Sequence, residues 1–365
     1  MLYAGVTVIA MVSCFYLLFR RANAIAPDIT PPIRLRRWTA AFFASIALNH
    51  LWYMPIFFLS SSEDILMCDF IGGLLDSMTF FPLAIIVLFS MLQDRQRPLW
   101  IVAMMMAPLI AGGVWGIATQ SNAHQPMIYA YSLLICIGLI IYMVREVRRY
   151  GHWLRDNYAD LEHKEVWQSF VVLGIILLVF VVYAFTGEGP VYQYTMQVSI
   201  GLLICYLLWR VETLSNLCAP QLQSLPIAET VTAETEVAKD NVLSEATRDN
   251  IEALLQRHCI DTQLYLQHDL TLFQLAKAVG TNRFYLSQYF ATMGITYNAY
   301  INDLRINHFI SFYRKSVNDH RSFTAQQMAR ESGFRNYNTF SSAFKRKTGQ
   351  TVTAWMKAQE RLRIS

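Results

Sequence analysis

The sequence predicts an all-α protein in which a bundle of seven transmembrane helices precedes a smaller, helical cytoplasmic domain. The chain of 365 residues is 54% hydrophobic and only 15% charged, which is more apolar than an ordinary soluble protein. Its apolar residues are concentrated in seven long runs, and the periodicity after residue 243 changes to that of helices with polar faces. The predicted domains are therefore a transmembrane domain at 1–212, a linker at 213–242 and a helical domain at 243–365.

Each apolar run is long enough to cross a bilayer, which takes roughly 17 to 25 residues in a helix. In the first run, Arg20 and Arg21 follow the apolar residues, whereas a signal peptide carries its positive charges before them. The first run is therefore interpreted as a span. The seven predicted spans are 2–19, 38–60, 65–92, 99–118, 127–144, 167–185 and 192–209.

The loops between the spans differ in charge. All 13 basic residues of 1–212 lie in the first, third and fifth loops or directly after the seventh span, and the other loops have none. Loops rich in Lys and Arg stay in the cytoplasm. The sequence therefore predicts an amino terminus outside the cell and a carboxyl terminus in the cytoplasm.

The connector at 213–242 has one basic and four acidic residues, few large apolar residues and no sustained periodicity, which is typical of a flexible linker. A coil of about 30 residues has an end-to-end distance of roughly 30 Å. The domain that follows has 16 basic and nine acidic residues, so a basic domain is predicted close to the membrane face.

The cysteines form no CxxC pair and have no His neighbours at the spacing of metal ligands. We therefore expect no disulfide framework, no metal site and no cofactor. The six positions are Cys14, Cys68, Cys136, Cys205, Cys218 and Cys259.

The basic half opens with a helix whose predicted N-cap is Ser244, and it then contains a weak internal repeat with an offset of 53 to 55 residues. Each copy has a short helix with an apolar Ala, a Gly suited to a tight turn, and a second amphipathic helix. That order predicts a helix-turn-helix motif in each copy. The matched pairs are Ala276 with Ala329, Gly280 with Gly333, Leu286 with Phe340, Phe290 with Phe344, Gly294 with Gly349 and Tyr300 with Trp355.

The second helix of each copy begins with side chains that suit contacts to base edges or phosphates. An ordinary helical domain with solvated basic faces is the alternative, and two copies with a net charge of +7 argue against it. A basic cluster, Lys345 to Lys347, ends the second copy. The predicted DNA-binding residues are Thr281, Asn282, Arg283, Phe284, Ser287, Gln288, Arg335, Asn336, Tyr337, Asn338, Ser341, Ser342 and Lys345.

The second copy carries a resemblance to a family. Its Gly333–Phe334 pair, the aromatic Phe340 and the run Phe344 to Gly349 resemble the DNA-binding domain of AraC-type bacterial transcription regulators. The resemblance covers about 250–360 and implies two recognition helices in successive major-groove turns. Two mild departures concern packing: Thr351-Val352 stands where the family usually has Thr-Pro, and Thr339-Phe340 where it often has Tyr-Phe.

The combination favours a one-component regulator in the bacterial inner membrane, which senses a signal through its spans and binds double-stranded DNA. A transporter or channel with a cytoplasmic regulatory domain is the alternative, although no inverted repeat is visible. An intramembrane enzyme would need a motif such as HExxH or GxSxG, which the spans lack. An unknown small-molecule or membrane signal, RNA polymerase and a second copy of the chain stay open as further partners.

Three ionisable residues in the spans are candidates for a sensing site. They are His50 in the second span and Asp69 and Asp76 in the third. A charge at mid-bilayer costs about 2.5–3.5 kcal/mol on insertion scales, so such residues usually face the bundle interior. His50 and Asp76 are predicted at a similar depth, where they form either a polar sensing pocket or a structural hydrogen bond between helices.

Overall fold

The computed structural model describes residues 2–20, 23–121, 123–186, 190–217, 245–319 and 323–364. Within these ranges all regular secondary structure is helical. The chain divides into two compact units, the first formed by Met1–Tyr150 and Val166–Leu225 and the second by Gly151–Glu165 and Pro226–Ser365. The predicted N-cap Ser244 and all but the first residues of the predicted linker lie outside the described ranges.

The first unit, called the apolar unit below, is built from eight helices among its described residues. A 3-10 turn, Met54–Phe57, follows the second helix, and a π-helical turn, Asp76–Phe80, joins the third to the fourth. The last residues of α6 belong to the second unit. The helices are α1 (Leu2–Phe19), α2 (Ile33–Tyr53), α3 (Ser62–Leu75), α4 (Phe81–Met91), α5 (Trp100–Thr119), α6 (Gln125–Asn157), α7 (Trp167–Thr186) and α8 (Pro190–Thr213).

Helix α2 lies at the centre of the apolar unit. It packs against α1, α4 and α8, and it buries Phe42, Phe43 and Ile46 almost completely. Helix α3 packs against α5. Pro82 lies at the start of α4, directly after the π-helical turn, and Ser62–Met91 continues through both as one helical run.

Five helices among the described residues are long and apolar enough to cross a bilayer, and seven spans are not established. Helix α2 is not among the five: its first turns contain Arg34, Arg36 and Arg37, and the α-helix ends at Tyr53, before the end of the predicted span 38–60. In α7 the segment Trp167–Ile176 is a shorter apolar helix. The five are Leu2–Phe19, Ser62–Met91, Trp100–Thr119, Gln125–Asn157 and Tyr194–Thr213.

Some of the loop arginines that set the predicted orientation are also structural. Arg95 and Arg97 both bind the carboxylate of Glu146, each at 2.7 Å, and Arg97 also binds Asp94 at 2.9 Å. Burial raises the pKa of Glu146, but the two arginines outweigh it and hold that pKa below its usual range. The loop between α4 and α5 is thereby tied to α6.

The second unit contains seven further helices among its described residues, together with the segment 151–165, which starts with the last turns of α6. A π-helical turn, Gln256–Ile260, and a 3-10 turn, Leu264–Leu266, separate the first two helices. The helices are α9 (Glu245–Leu255), α10 (Leu272–Val279), α11 (Arg283–Thr292), α12 (Tyr297–Asn318), α13 (Ala325–Glu331), α14 (Tyr337–Thr348) and α15 (Val352–Ile364).

Helix α12 joins two separate hydrophobic cores in this unit. Its first half contributes Tyr297 and Ile301 to the core around α10 and α11. Its second half contributes Ile306 and Phe309 to the core around α13 and α14, where the Phe309 and Phe340 rings lie 4.6 Å apart. The helix pairs α10–α11 and α13–α14 therefore both pack against the same helix, α12.

Candidate functional site

The first helix pair, α10 and α11, is capped by polar side chains at each start. The Thr271 hydroxyl oxygen accepts a hydrogen bond from the Gln274 backbone N–H, and the Gln274 side-chain oxygen accepts one from the Thr271 backbone N–H, which is a capping box. Gly280 ends α10 in the left-handed region with φ 76°, a conformation that glycine adopts without a steric penalty. Asn282 then caps α11 by accepting from the Phe284 amide.

The second helix pair, α13 and α14, repeats this construction. Thr324 and Gln327 form the capping box, and the Asn336 side-chain oxygen caps α14 by accepting from the Asn338 backbone N–H. Gly333 makes the turn with φ 87°, and a side chain there would collide with the backbone of Leu266. The predicted repeat is therefore present as two helix-turn-helix motifs.

A match to a known domain covers both motifs. Residues 275–358 match the family model described as a helix-turn-helix domain. The region is an AraC-type helix-turn-helix domain. Domains of this family act in DNA-binding transcription regulators and are typically not enzymes. Comparison with curated proteins and with solved structures finds no match to the chain.

The predicted DNA-binding residues of this AraC-type domain differ in exposure. Two of them, Asn282 and Asn336, already use their side-chain oxygens as helix caps. Tyr337 packs its ring 5.7 Å from that of Phe340. Among the thirteen, seven are exposed: Asn282, Phe284, Ser287, Arg335, Asn338, Ser342 and Lys345. The half-buried ones are Thr281, Arg283, Gln288, Asn336, Tyr337 and Ser341.

A cleft of about 530 Å³ lies at the start of the second motif. Arg330, Arg335, Asn336 and Asn338 are among the residues that line it. Guanidinium and amide donors next to a helix N-terminus suit an anion, because the first N–H groups of a helix lack partners and its dipole is positive there. The cleft can therefore accept a phosphate group of a nucleic acid.

The basic cluster at the end of α14 is exposed. Lys347 donates to the Asp303 carbonyl at 2.9 Å and lies 3.7 Å from the Asp303 carboxylate. Lys345 and Arg346 form no ion pair with any described residue. These two cations are thus available to a phosphate backbone.

Sequence reasoning missed a buried ion pair in the same unit. Arg305 of α12 is 0% exposed and donates to Asp160 Oδ1 at 2.9 Å and to the carbonyls of Tyr265 and Gln267, each at 2.8 Å. Its guanidinium also lies 5.6 Å from the Phe334 ring centroid. The sequence contained a sign that Arg305 is buried, because buried apolar residues lie one turn before and one turn after it in α12. Nothing in the local sequence indicates that Asp160 is its partner.

Asp269 links the two cationic residues Lys164 and Arg335. Lys164 Nζ lies 2.9 Å from Asp269 Oδ1, and Arg335 Nη1 lies 2.9 Å from Asp269 Oδ2. Burial raises the pKa of Asp269, but the two cations outweigh burial and hold that pKa below its usual range. The predicted DNA-binding residue Arg335 is thus held by a carboxylate.

In the apolar unit, two adjacent residues of α2, Asn49 and His50, are buried, whereas Asp69 is exposed. We call these two residues and their hydrogen-bond partners, including Asp76, the polar cluster. Asn49 Nδ2 donates to Asp76 Oδ1 at 2.6 Å, and the Tyr53 hydroxyl donates to Asp76 Oδ2 at 2.9 Å. No direct hydrogen bond joins His50 to Asp76. Asp76 is the first residue of the π-helical turn, and such turns occur frequently at functional sites.

The other half of the cluster surrounds His50, which is buried. Its Nδ1 lies 2.9 Å from the Ile46 carbonyl and its Nε2 lies 3.0 Å from Gln197 Oε1. The Tyr3 hydroxyl donates to the His50 carbonyl at 2.6 Å. Helices α1, α2 and α8 therefore meet at this residue, and sequence reasoning did not identify Tyr3 or Gln197 as its partners.

Proposed function

We propose that the protein is a membrane-bound one-component transcription regulator of the bacterial inner membrane. The apolar unit crosses the bilayer seven times, with the amino terminus outside and the carboxyl terminus in the cytoplasm, and it receives a signal. The AraC-type domain binds a specific double-stranded DNA site. RNA polymerase and a second copy of the chain stay predictions as further partners.

The observation that carries the proposal is the presence of two equally built helix-turn-helix motifs on one helix, α12. Two motifs on a rigid support suit successive major-groove turns, which are about 34–36 Å apart. The exposed side chains of α11 and α14 include hydroxyl, amide, guanidinium and ammonium groups, which are the groups that bind base edges and phosphates.

The placement in a membrane is supported by the five long apolar helices and by the loop charges. The basic residues of 1–212 lie on one side of the predicted spans only, so the charge asymmetry gives a single orientation. In that orientation the AraC-type domain lies in the cytoplasm, where chromosomal DNA is accessible.

Reporter fusions test the topology. A reporter that is active only in the cytoplasm should work when fused after Arg155 or after Arg210, and one that is active only outside should work after Ser60 or after Gln120. Cytoplasmic activity after Ser60 would refute the proposed topology, because two spans that start from an outside amino terminus place Ser60 outside.

Genome-wide DNA occupancy of the intact protein tests the regulatory function. Discrete binding sites next to promoters, lost in an Asn338→Ala variant, are the expected result. Solute transport by vesicles that contain the protein, without any discrete DNA site in cells, would instead favour the transporter or channel.

The polar cluster is the proposed sensing site. Asn49 is buried, and its Oδ1 accepts no hydrogen bond from any described residue. A buried acceptor without a partner is costly and suits a ligand or water that donates a hydrogen bond. Because His50 connects α1, α2 and α8, a change at this cluster can shift their packing.

Single variants test this site. His50→Gln and Asp76→Asn should leave membrane abundance normal and lock the output of a target promoter, whereas Asp69→Asn, a matched carboxylate at an exposed position, should respond like the wild type. A normal response in His50→Gln and Asp76→Asn would leave the cluster with a structural role only.

A further inference from the structure

A short segment of the chain between α6 and α7 is packed into the second unit. The Ala159 backbone N–H donates to the Leu270 carbonyl at 3.1 Å, and Asn298 Nδ2 donates to the Ala159 carbonyl. Ala159 is 0% exposed and belongs to the hydrophobic core around α10 and α11. Tyr158 and Thr271 also form an isolated antiparallel bridge. The segment is therefore part of the folded domain.

The buried ion pair fixes the next residue of the segment. Asp160 is 3% exposed, its Oδ1 binds Arg305 at 2.9 Å, and its Oδ2 accepts from the Asp269 amide at 2.8 Å. If the segment moved away, the buried Arg305 guanidinium would lose its carboxylate partner, which is unfavourable. We call Ala159 and Asp160 the anchor.

The residues that flank the anchor bind the start of both recognition helices, α11 and α14. On one side, Arg283 Nη2 donates to Asn157 Oδ1 at 2.6 Å. On the other side, Asn336 Nδ2 donates to Glu162 Oε1 at 2.7 Å. Both Arg283 and Asn336 are predicted DNA-binding residues, so a single segment occupies one such residue in each motif.

Glu162 presents to the first turn of α14 what a DNA phosphate would present. Its carboxylate is an anion with two acceptor oxygens, and it lies at a helix N-terminus, where anions are favoured. The stretch 157–165 has three acidic residues and one Lys, whereas 243–365 carries a net charge of +7. The charge of the segment is thus complementary to the domain that it contacts.

We propose that the segment Asn157–Lys164 is an intrachain ligand of the AraC-type domain that competes with DNA for Arg283 and Asn336. The anchor stays docked, and Asn157 and Glu162 exchange with phosphate groups when DNA binds. Asn157 is the last residue of α6, so its bond to Arg283 is directly sensitive to a displacement of that helix. This inference depends on the proposed function, because it assumes that the domain binds DNA.

The test uses the full-length chain in lipid nanodiscs. The DNA is a fluorescent duplex of about 30 base pairs, long enough for two successive major-groove turns. Duplexes that bind are enriched from a random-sequence library, once with the wild type and once with the double variant Asn157→Ala/Glu162→Ala. The affinity of each protein is then measured on the enriched duplexes. Asp156→Ala is the matched control, because it removes an exposed carboxylate directly before the segment, at a residue with no hydrogen bond to a recognition helix.

We expect the double variant to bind roughly tenfold more tightly than the wild type, since two competing hydrogen bonds and one repelling charge are lost. The control should bind like the wild type. Glu162→Gln keeps the acceptor oxygen and removes only the charge, so it should give a smaller gain. The melting temperature of the double variant shows whether it folds. If it does not, the isosteric Glu162→Gln variant still tests whether the Glu162 carboxylate competes with DNA.

Equal affinities for the wild type, the control and both Glu162 variants would overturn the competition. Weaker binding by folded Glu162 variants would also overturn it, because the segment would then support DNA binding. Failure of every protein to enrich any duplex would contradict the proposed function and not the docking alone, so the two failures are distinguishable.

Discussion

In the first helix-turn-helix motif Thr271 caps α10 and Asn282 caps α11, and in the second Thr324 and Asn336 cap the equivalent helices α13 and α14. The surroundings of the two turns differ. No atom lies within 4 Å of a side chain built at Gly280, whereas one built at Gly333 would collide with the Leu266 backbone and approach Arg305. The repeat therefore preserves local geometry, while the second turn is also part of the interior.

The exposed faces of the two motifs also differ. The residue two positions after the cap is Phe284 in the first motif and Asn338 in the second, and both are exposed. The first recognition helix ends without a basic residue, whereas the second ends in Lys345 to Lys347. The first motif thus exposes an aromatic side chain at this position, whereas the second exposes an amide there and ammonium groups at the end of its helix.

The largest expected effect separates the two glycines. Gly333→Ala should lower the free energy of unfolding by roughly 2–5 kcal/mol, because the left-handed backbone costs roughly 1–2 and the collision roughly 1–3. Gly280→Ala should cost only about 1–2 kcal/mol, because it carries the backbone term alone. Hydrogen exchange of core amides in α14 and α11 of the intact chain measures both. Equal losses would show that the two turns are equally packed.

The next effect concerns base recognition. Asn338→Ala should weaken binding to a selected duplex by about 1–3 kcal/mol and leave binding to random DNA nearly unchanged, because an amide can form two hydrogen bonds to adenine. Phe284→Ala, at the equivalent position, should cost about 1 kcal/mol, since it loses an apolar contact only. Fluorescence anisotropy on both duplexes measures the affinities. Equal losses of Asn338→Ala on the two DNAs would exclude it from base recognition.

The salt dependence compares the ends of the recognition helices. Lys345→Ala should flatten the slope of log affinity against log salt by about one, because one phosphate contact and its released counterion are lost. The repeat aligns Lys345 with the exposed residue Ala291. Ala291→Lys should therefore steepen the slope by about one. An unchanged slope in Ala291→Lys would mean that the two helices do not approach the DNA backbone in the same way.

The smallest expected effect depends on pH. Asp269, the partner of Arg335, has a lowered pKa in the folded state. Its contribution to the free energy of unfolding is therefore fully present above the unfolded pKa of about 3.9, and it is lost as the pH falls through the folded pKa. Asp269→Asn should cost up to about 1 kcal/mol at neutral pH, since the pair is half exposed. The difference from the wild type should vanish in acid.

The matched variant is Asn157→Ala, which removes the amide that binds Arg283 of the first motif. An amide does not titrate, so the stability change that this variant causes should be the same at neutral and acidic pH. Urea unfolding at several pH values, followed by hydrogen exchange, compares the two variants. A pH-independent Asp269→Asn would mean that the carboxylate contributes no ion-pair stability.

Much of the site could be predicted from short stretches of sequence. Caps, turn glycines and apolar positions depend on neighbours within a few residues, so the two motifs and their exposed starts were recognised from the repeat itself. The matched domain at 275–358 confirms the motifs. Which exposed residues contact DNA stays a prediction, although the structure adds that Asn282 and Asn336 are also helix caps.

Composition alone was less informative about the apolar half. Seven apolar runs are long enough to span a membrane, but a run is a span only where it is helical, and α2 ends at Tyr53 before its run does. The sequence predicted His50 and Asp76 at a similar depth and left open whether they form a sensing pocket or a hydrogen bond. In the structure no hydrogen bond joins the two: Asp76 is bound by Asn49 and Tyr53, and Asp69 is exposed.

The sequence by itself determined the helical class, the division into an apolar and a basic half, and the two helix-turn-helix motifs, because these follow from periodicity, charge and local capping. Only the tertiary structure decided the partners of buried polar groups. Asp160 and Arg305 are 145 residues apart, and His50 and Gln197 are 147 apart. A buried charge must have a partner, but local sequence does not specify which distant group the folded chain brings within hydrogen-bond distance.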